Sequence, residues 1–447
     1  VSTPSHGLRT TTLLVVTSMV GSGVFTTSGI LLRELGSPLA VLAVWCVGGL
    51  AALAGAWVYA ELAVAVRESG GEYALVSRYV HPAAGFVVGL VSFVVGFCAP
   101  IAACSFAFAR YASAALAADL PDPGEPASVA ETVVAGALVV LATLVHARER
   151  EATGAPGLGA RAQDALTLGK VVLVLGVVVG GALALATSSR PDAALPEALS
   201  VAPLEGLSSV SLSALGLGVV LVSFAYTGWN AAAYFAGEIE RPERTIPRAL
   251  AGGTLVVTAL YVGLNAVFLA SAPRAALEGQ IVVGHVAALA LFGPWAARAL
   301  SAVIAFGLLS TVGAFVWTGV RILEAMSRHH PRLAFLGQRP VALGLQLVLS
   351  VGLLLGASFD VLLGSVGFAL SIASALTVLA VFRVRREQPA GAGFRAPLHP
   401  LPALFYLALM VATVASTLVE RPSLALVGLA TTLVGLVGYA VVTRKIQ

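Results

Sequence analysis

Apolar residues follow one another in long blocks, roughly 20 or more at a time with few charges inside, which is the length a helix needs to cross a bilayer. Twelve such blocks are predicted, over residues 9–34, 38–66, 83–118, 128–147, 161–187, 210–239, 247–272, 294–328, 340–357, 360–384, 400–420 and 422–443. An outer-membrane barrel would instead show segments of about ten residues with alternating polarity. The chain therefore reads as an all-α integral membrane protein, residues 1–447 forming a single membrane domain.

Two blocks are interrupted in the middle. In the first, Val15 to Thr27, the sequence Gly21-Ser22-Gly23 stands inside an otherwise helical run. Each glycine there costs about 1 kcal/mol relative to alanine, so the helix is expected to open. Lipid tolerates an open backbone only where it lines a cavity or is buried in protein, so the opening marks a binding site. A half-helix starting near Ser22 and Gly23 turns free N–H groups and a positive dipole end toward an anion. The half that ends near residues 17–20, Met19 included, offers carbonyls to a cation, and a zwitterion satisfies both. The sixth block holds the second interruption, Ser223-Phe224-Ala225-Tyr226-Thr227-Gly228-Trp229-Asn230-Ala231, five spans after the first. Interrupted helices at matching positions of two halves point to an inverted-repeat transporter with its site near the midplane.

Composition agrees with burial in lipid. Of 447 residues, 58% are hydrophobic and 11% charged, against about 25% charged in soluble domains. The formal charge of +4 does not indicate nucleic acid, because Lys and Arg cluster in short loops beside spans. With the N-terminus inside, 19 basic residues fall on the cytoplasmic side and 6 outside, a positive-inside bias that places both termini in the cytoplasm of a cell-membrane protein. Residues 1–12 lack the apolar core and cleavage site of a removable signal peptide. Cys46, Cys98 and Cys104 all lie in predicted spans, so no disulfide framework is implied.

Lys170 stands apart, in the middle of Leu166-Thr167-Leu168-Gly169-Lys170-Val171-Val172-Leu173. An ammonium at bilayer depth costs about 2.5–3.5 kcal/mol on insertion scales. Either it snorkels to water at the cytoplasmic end of span five, or it acts as a buried cation where an ion or proton would otherwise be. Gly237-Glu238-Ile239-Glu240-Arg241-Pro242-Glu243-Arg244 is a solvated cytoplasmic turn of alternating charge. No nucleophile–base constellation or metal-ligand spacing occurs in or near the spans, and His329-His330 reads as a loop pair, so neither an enzyme nor a metal or cofactor site is expected.

Gly21-Ser22-Gly23-Val24-Phe25, Glu68-Ser69-Gly70-Gly71-Glu72-Tyr73 and Phe224 to Asn230 with Glu238 to Pro247 together resemble the amino acid–polyamine–organocation superfamily. The run Phe-Ala-Tyr-x-Gly-Trp-Asn and Gln163 to Lys170 are similar in particular to the L-type amino acid transporter family and its bacterial alanine–serine–cysteine exchanger relatives. The resemblance covers spans one to eight; the last four follow by hydropathy alone. It implies a LeuT-like five-plus-five inverted repeat, 9–187 and 210–387, with helices one and six unwound and two accessory helices over 400–443. It further implies that the amides around Gly21, Ser22 and Gly23 hold a substrate carboxylate and that carbonyls at Met19, Phe224 and Thr227 hold the ammonium. Phe224 closes over the substrate in that scheme, with Ala225, Tyr226, Trp229 and Asn230 completing the unwound segment. Lys170 then stands where sodium sits in coupled relatives and bridges span one to span eight, which makes sodium coupling unexpected. Thr227 departs from the glycine of many L-type members and is expected to narrow the pocket. The loop 119–128 lacks the cysteine that links animal members to an accessory glycoprotein, so no such partner is expected.

The expectation that results is sodium-independent transport of small neutral L-amino acids by alternating access, as exchanger or proton symporter. An arginine–agmatine or polyamine antiporter shares Gly-Ser-Gly-Val-Phe but calls for an acidic or strongly aromatic pocket, and no carboxylate lies clearly at mid-membrane beside the two breaks. A non-transporting amino acid sensor would want a cytoplasmic signalling domain, which the short loops do not supply.

Overall fold

The computed structural model describes residues 7–66, 71–116, 127–148, 158–187, 193, 195–196, 210–234, 236–387 and 393–443; for residues 158–167 and Glu238 it describes the backbone alone. The expectations placed on Glu68 to Gly70, on the loop 119–126 and on the side chains of Gln163 to Thr167 lie outside the described residues.

Helix α1 (Leu8–Met19) opens at residues 20–22, and α2 (Gly23–Leu35) leaves at an angle of 41° to it. Gly36, in the left-handed conformation at φ 65°, ends α2. Next come α3 (Pro38–Val66), the short α4 (Gly71–Tyr79), and a 35-residue span made of α5 (Pro82–Phe93), a π turn (Val94–Cys98) and α6 (Ala99–Leu116). The π turn sits just ahead of Pro100, whose ring would strike the carbonyl four residues back in a regular helix; widening the turn removes that clash. Helices α7 (Val129–Arg148) and α8 (Leu158–Thr187) follow.

The sixth predicted block is two pieces, α9 (Leu212–Ala225) and α10 (Ala231–Tyr234), separated by turns at 226–230. Beyond it lie α11 (Pro242–Ser271), α12 (Arg274–Leu277), α13 (Val283–Phe292), α14 (Pro294–His329), α15 (Arg339–Gly356), α16 (Phe359–Glu387), α17 (Leu401–Glu420) and α18 (Pro422–Thr443). Among the described residues no strand occurs, and ten helices are long and apolar enough to cross a membrane, eleven if α1 and α2 count as one bent span. The sixth block drops out of that count for a physical reason: Gly228 at φ 95° cannot continue a helix, and the 14 residues of α9 are too few to span alone.

The helices pack with their apolar residues turned both inward and outward. Val172, Leu183, Val419 and Leu433 lie on the outer surface, as lipid-facing residues should, while the interior joins α1, α2, α3, α9, α11 and α16 in one continuous cluster. Two buried carboxylates are paired with arginines. Glu61 of α3, 3% exposed, takes two bonds from Arg385 of α16 at 2.7 and 2.6 Å and one from the Ala396 amide at 2.8 Å. Arg110, counted with the outside loops from sequence, is instead buried in α6 beside Glu131 of α7 at 3.5 Å; the neighbouring carboxylate lets it stay within the helix packing. At the end of the molecule opposite Glu61, Arg33 meets Asp360 and Arg421 binds Glu34 at 2.8 Å, tying α2 to α16 and α17.

Truncating one member of the Glu61–Arg385 pair leaves a guanidinium buried with half its partners gone. Glu61→Ala is expected to cost about 3–5 kcal/mol, read as a drop in the thermal midpoint of the purified protein. The double change Glu61→Leu with Arg385→Leu should recover most of the loss.

Candidate functional site

The two helix breaks meet face to face. A Cβ added at Gly23, the first residue of α2, would lie 2.5 Å from the Ala225 Cα, and one at Gly228 would lie 2.5 Å from the Ser18 carbonyl oxygen. Only glycine lets the two open stretches approach this closely, and at Gly228 the positive φ adds a second reason.

Opening each helix frees carbonyls, and one side chain answers both breaks. The Tyr261 hydroxyl of α11 lies 2.6 Å from the Met19 carbonyl and 3.2 Å from the Ala225 carbonyl, sharing its single proton between them. Within the second break the Thr227 hydroxyl donates to the Phe224 carbonyl at 2.8 Å. Ser22 precedes α2 without capping it through its side chain; its hydroxyl instead meets the Cys104 thiol of α6 at 3.1 Å. The Phe25 amide turns back to the Ser22 carbonyl at 2.9 Å, and the Ser22 side chain caps none of the first amides of α2.

Lys170 lies on the far side of the first break. It is 8% exposed, and its ammonium donates to the Thr311 hydroxyl of α14 at 3.1 Å. A small cavity of about 10 Å³, room for one water, is lined by Gly21, Phe25, Lys170, Leu173, Val303, Ile304, Gly307, Leu308 and Thr311. The ammonium, the first break and α14 therefore border one space.

The structure brings Met19, Gly21, Ser22, Gly23, Phe224, Ala225 and Thr227 together around the facing breaks, with Lys170 behind them. Two aromatic side chains of the second break turn elsewhere. The Tyr226 hydroxyl donates to the Trp45 carbonyl at 2.9 Å, and the Trp229 ring packs edge-on between Tyr59, 4.7 Å away, and Tyr406, 6.1 Å away. Asn230 points to the end of the molecule that carries Glu61 and donates to Glu72 of α4 at 3.1 Å. Glu72, outside the spans on α4 and remote from the breaks in sequence, reaches the end of the second break by tertiary packing.

Tyr261, Cys104, Thr311 and Glu72 are contacts that pattern reasoning missed. Each is a polar residue in or beside an apolar helix, a signal that shows something must be satisfied without saying by what. Among the described residues no three His, Cys, Asp or Glu side chains gather as a metal would need. His329 and His330 pack against the rings of Tyr73, Phe86 and Tyr439.

Residues 7–438 match the family model described as amino acid permease. The chain is 25% identical to the serine/threonine exchanger SteT of Bacillus subtilis (strain 168), with 92% of this chain and 91% of that one covered. It is 27% identical to the b(0,+)-type amino acid transporter 1 of Mus musculus over 63% of this chain and 56% of that protein. With the Asc-type amino acid transporter 1 of Homo sapiens the identity is 28% over 62% of this chain and 50% of that protein. The chain thus matches about half the length of these mammalian relatives.

Because the breaks touch at Gly23, a methyl group there must push α2 away from α9. Gly23→Ala is expected to cost about 1–3 kcal/mol as overpacking, measured by thermal unfolding. A smaller change than that of an alanine placed at Gly252, which has open space, would contradict the facing-break geometry.

Proposed function

The chain is a member of the amino acid permease family, and on that premise we propose that it carries small neutral L-amino acids across the cytoplasmic membrane by alternating access, without sodium, as an exchanger or proton symporter. Membership makes it an amino acid transporter and not an enzyme. The rest of the reading is an inference from its own residues. Residues 9–187 and 210–387 form two inverted repeats of five helices, 400–443 add two accessory helices, and the twelve spans leave both termini in the cytoplasm. No disulfide-linked accessory subunit is required.

The observation that carries the sodium-independent reading is Lys170. Its ammonium reaches Thr311 of α14 and borders the same cavity as Gly21 of the first break. A fixed cation there occupies the position a coupling cation would need, and it links the first break to α14 in every turn of the cycle. The substrate's ends follow from the backbone. Its carboxylate meets the first amides of α2, and its ammonium, with three donors, displaces the Tyr261 proton from the Met19 carbonyl. The Thr227 hydroxyl and the close approach of Gly23 to Ala225 leave little room, which favours a small side chain. Serine or threonine exchange in the Bacillus relative fits the same size class. Glu72 does not favour a cationic substrate, because its carboxylate is already engaged by Tyr59 and Asn230.

Proteoliposomes loaded with unlabelled L-serine should take up labelled L-serine equally well in sodium and choline media, with L-arginine and agmatine competing poorly. Sodium-dependent uptake, or preference for the cationic substrates, would overturn the reading. Lys170→Ala removes a buried cation and leaves its acceptor unsatisfied at about 1–3 kcal/mol, enough to shift a two-state balance by roughly tenfold. Apparent affinity is then expected to change differently when measured from the two faces. Equal kinetics from both faces, with pH dependence like the parent's, would mean that Lys170 only snorkels.

A further inference from the structure

Glu72 is 5% exposed, lies outside the spans on α4, and has no basic partner among the described residues. Two neutral donors converge on one of its oxygens: the Tyr59 hydroxyl of α3 at 2.6 Å and the Asn230 amide of the second break at 3.1 Å, both to Oε1. Tyr234 of α10 closes the site. Its hydroxyl reaches the Glu72 backbone and Asn230, and its ring covers Gly71 so tightly that a Cβ there would overlap it. Tyr406 of α17 is the remaining titratable group nearby. From α16 the neighbours are hydroxyls, Thr377 toward Tyr59 and Ser374 bonded to Tyr406 at 2.8 Å, and α5 carries no titratable side chain. The ion pair at this end, Glu61 with Arg385, is satisfied within itself.

We propose that Glu72 is a proton-carrying positioning residue of the transport cycle, holding the second break and α10 against α4 while protonated and releasing them toward the cytoplasm once its proton has passed to water. The proposal rests on the transport reading above and on the orientation that puts this end in the cytoplasm.

The chemistry follows from the site. With two donors on Oε1, a proton bound by Glu72 sits on Oε2, and the group is then a neutral acid suited to an enclosed space. Loss of that proton to cytosolic water leaves a carboxylate with only neutral donors around it among the described residues, a buried charge that is costly until water reaches it. Movement of α10 away from α4 admits that water. Burial drives the Glu72 carboxyl up to about 7 in the sealed arrangement, with the Tyr59 and Asn230 bonds pulling the other way; once solvated it returns toward the usual carboxylate value near 4.3. A proton favours whichever arrangement has the higher pKa. Acid on the cytosolic side therefore stabilises the sealed form, and that stabilisation fades as pH rises through about 7.

The test uses the full chain in oriented proteoliposomes, with labelled L-serine exchange followed while only the cytosolic-face pH is varied. The parent is expected to slow by about tenfold between pH 8 and pH 6. Glu72→Gln should abolish that response and exchange no faster than the parent does at pH 6. Tyr59→Phe, which removes one donor that favours the charged form, should move the midpoint to higher pH. A substrate-free reading keeps the two proposals separable. In detergent, Glu72→Gln should be more thermostable than the parent at pH 8, with the difference shrinking steadily as pH falls below about 7 toward the solvated carboxylate value, even if L-serine proves not to be carried. Parent-like pH response in Glu72→Gln, an unmoved midpoint in Tyr59→Phe, or a thermal difference independent of pH would each overturn the role of Glu72.

Discussion

A membrane interior offers no water to an opened helix, and the architecture of this protein answers that single constraint. Each broken helix exposes carbonyls and amides that cost several kcal/mol apiece in hydrocarbon. The two breaks are therefore laid against each other, glycine to backbone, and one tyrosine hydroxyl serves carbonyls of both. One proton between two acceptors is an incomplete solution. That incompleteness supports the binding site proposed at the breaks, because a ligand with more donors and an anionic end would satisfy them better than the protein does by itself.

Around this centre, charges are handled in three different ways. Glu61 with Arg385 is a closed pair that fixes α3 to α16. Lys170 has no carboxylate partner among the described residues; it is held by a hydroxyl and borders the same cavity as Gly21 of the first break. Glu72 is held by neutral donors alone, which suits a group that gains and loses a proton better than one that is permanently ionised. The gradation runs from a structural bond to a responsive one. Only the last two groups touch or border the breaks.

The same contrast separates rigid from movable parts. The long helices α3, α11, α14 and α16 interlock through buried apolar faces, whereas α1, α2, α9 and α10 are short pieces joined by non-helical backbone. Short pieces with glycine hinges change direction at little cost, and a transporter must change direction between its two access states.

The apolar periodicity alone established that the chain is helical and lies in a membrane, because runs of about 20 apolar residues have no other stable setting. Glycines at 21, 23 and 228 marked where two of those helices open, since helix propensity is a local property. The sixth block, read as interrupted at Gly228, is two short helices in the structure, with Gly228 at positive φ between them. What sequence could not decide was partnership. Tyr261, Thr311 and Cys104 are polar residues in largely apolar helices, and nothing local says that they meet Met19, Lys170 and Ser22. Glu72, read as part of a loop motif, became a neighbour of Asn230 only through the packing of α4 against the second break. Hydrophobic pattern follows from each helix meeting lipid on its own, but a hydrogen bond between residues 158 positions apart exists only when the tertiary fold brings its two ends within reach.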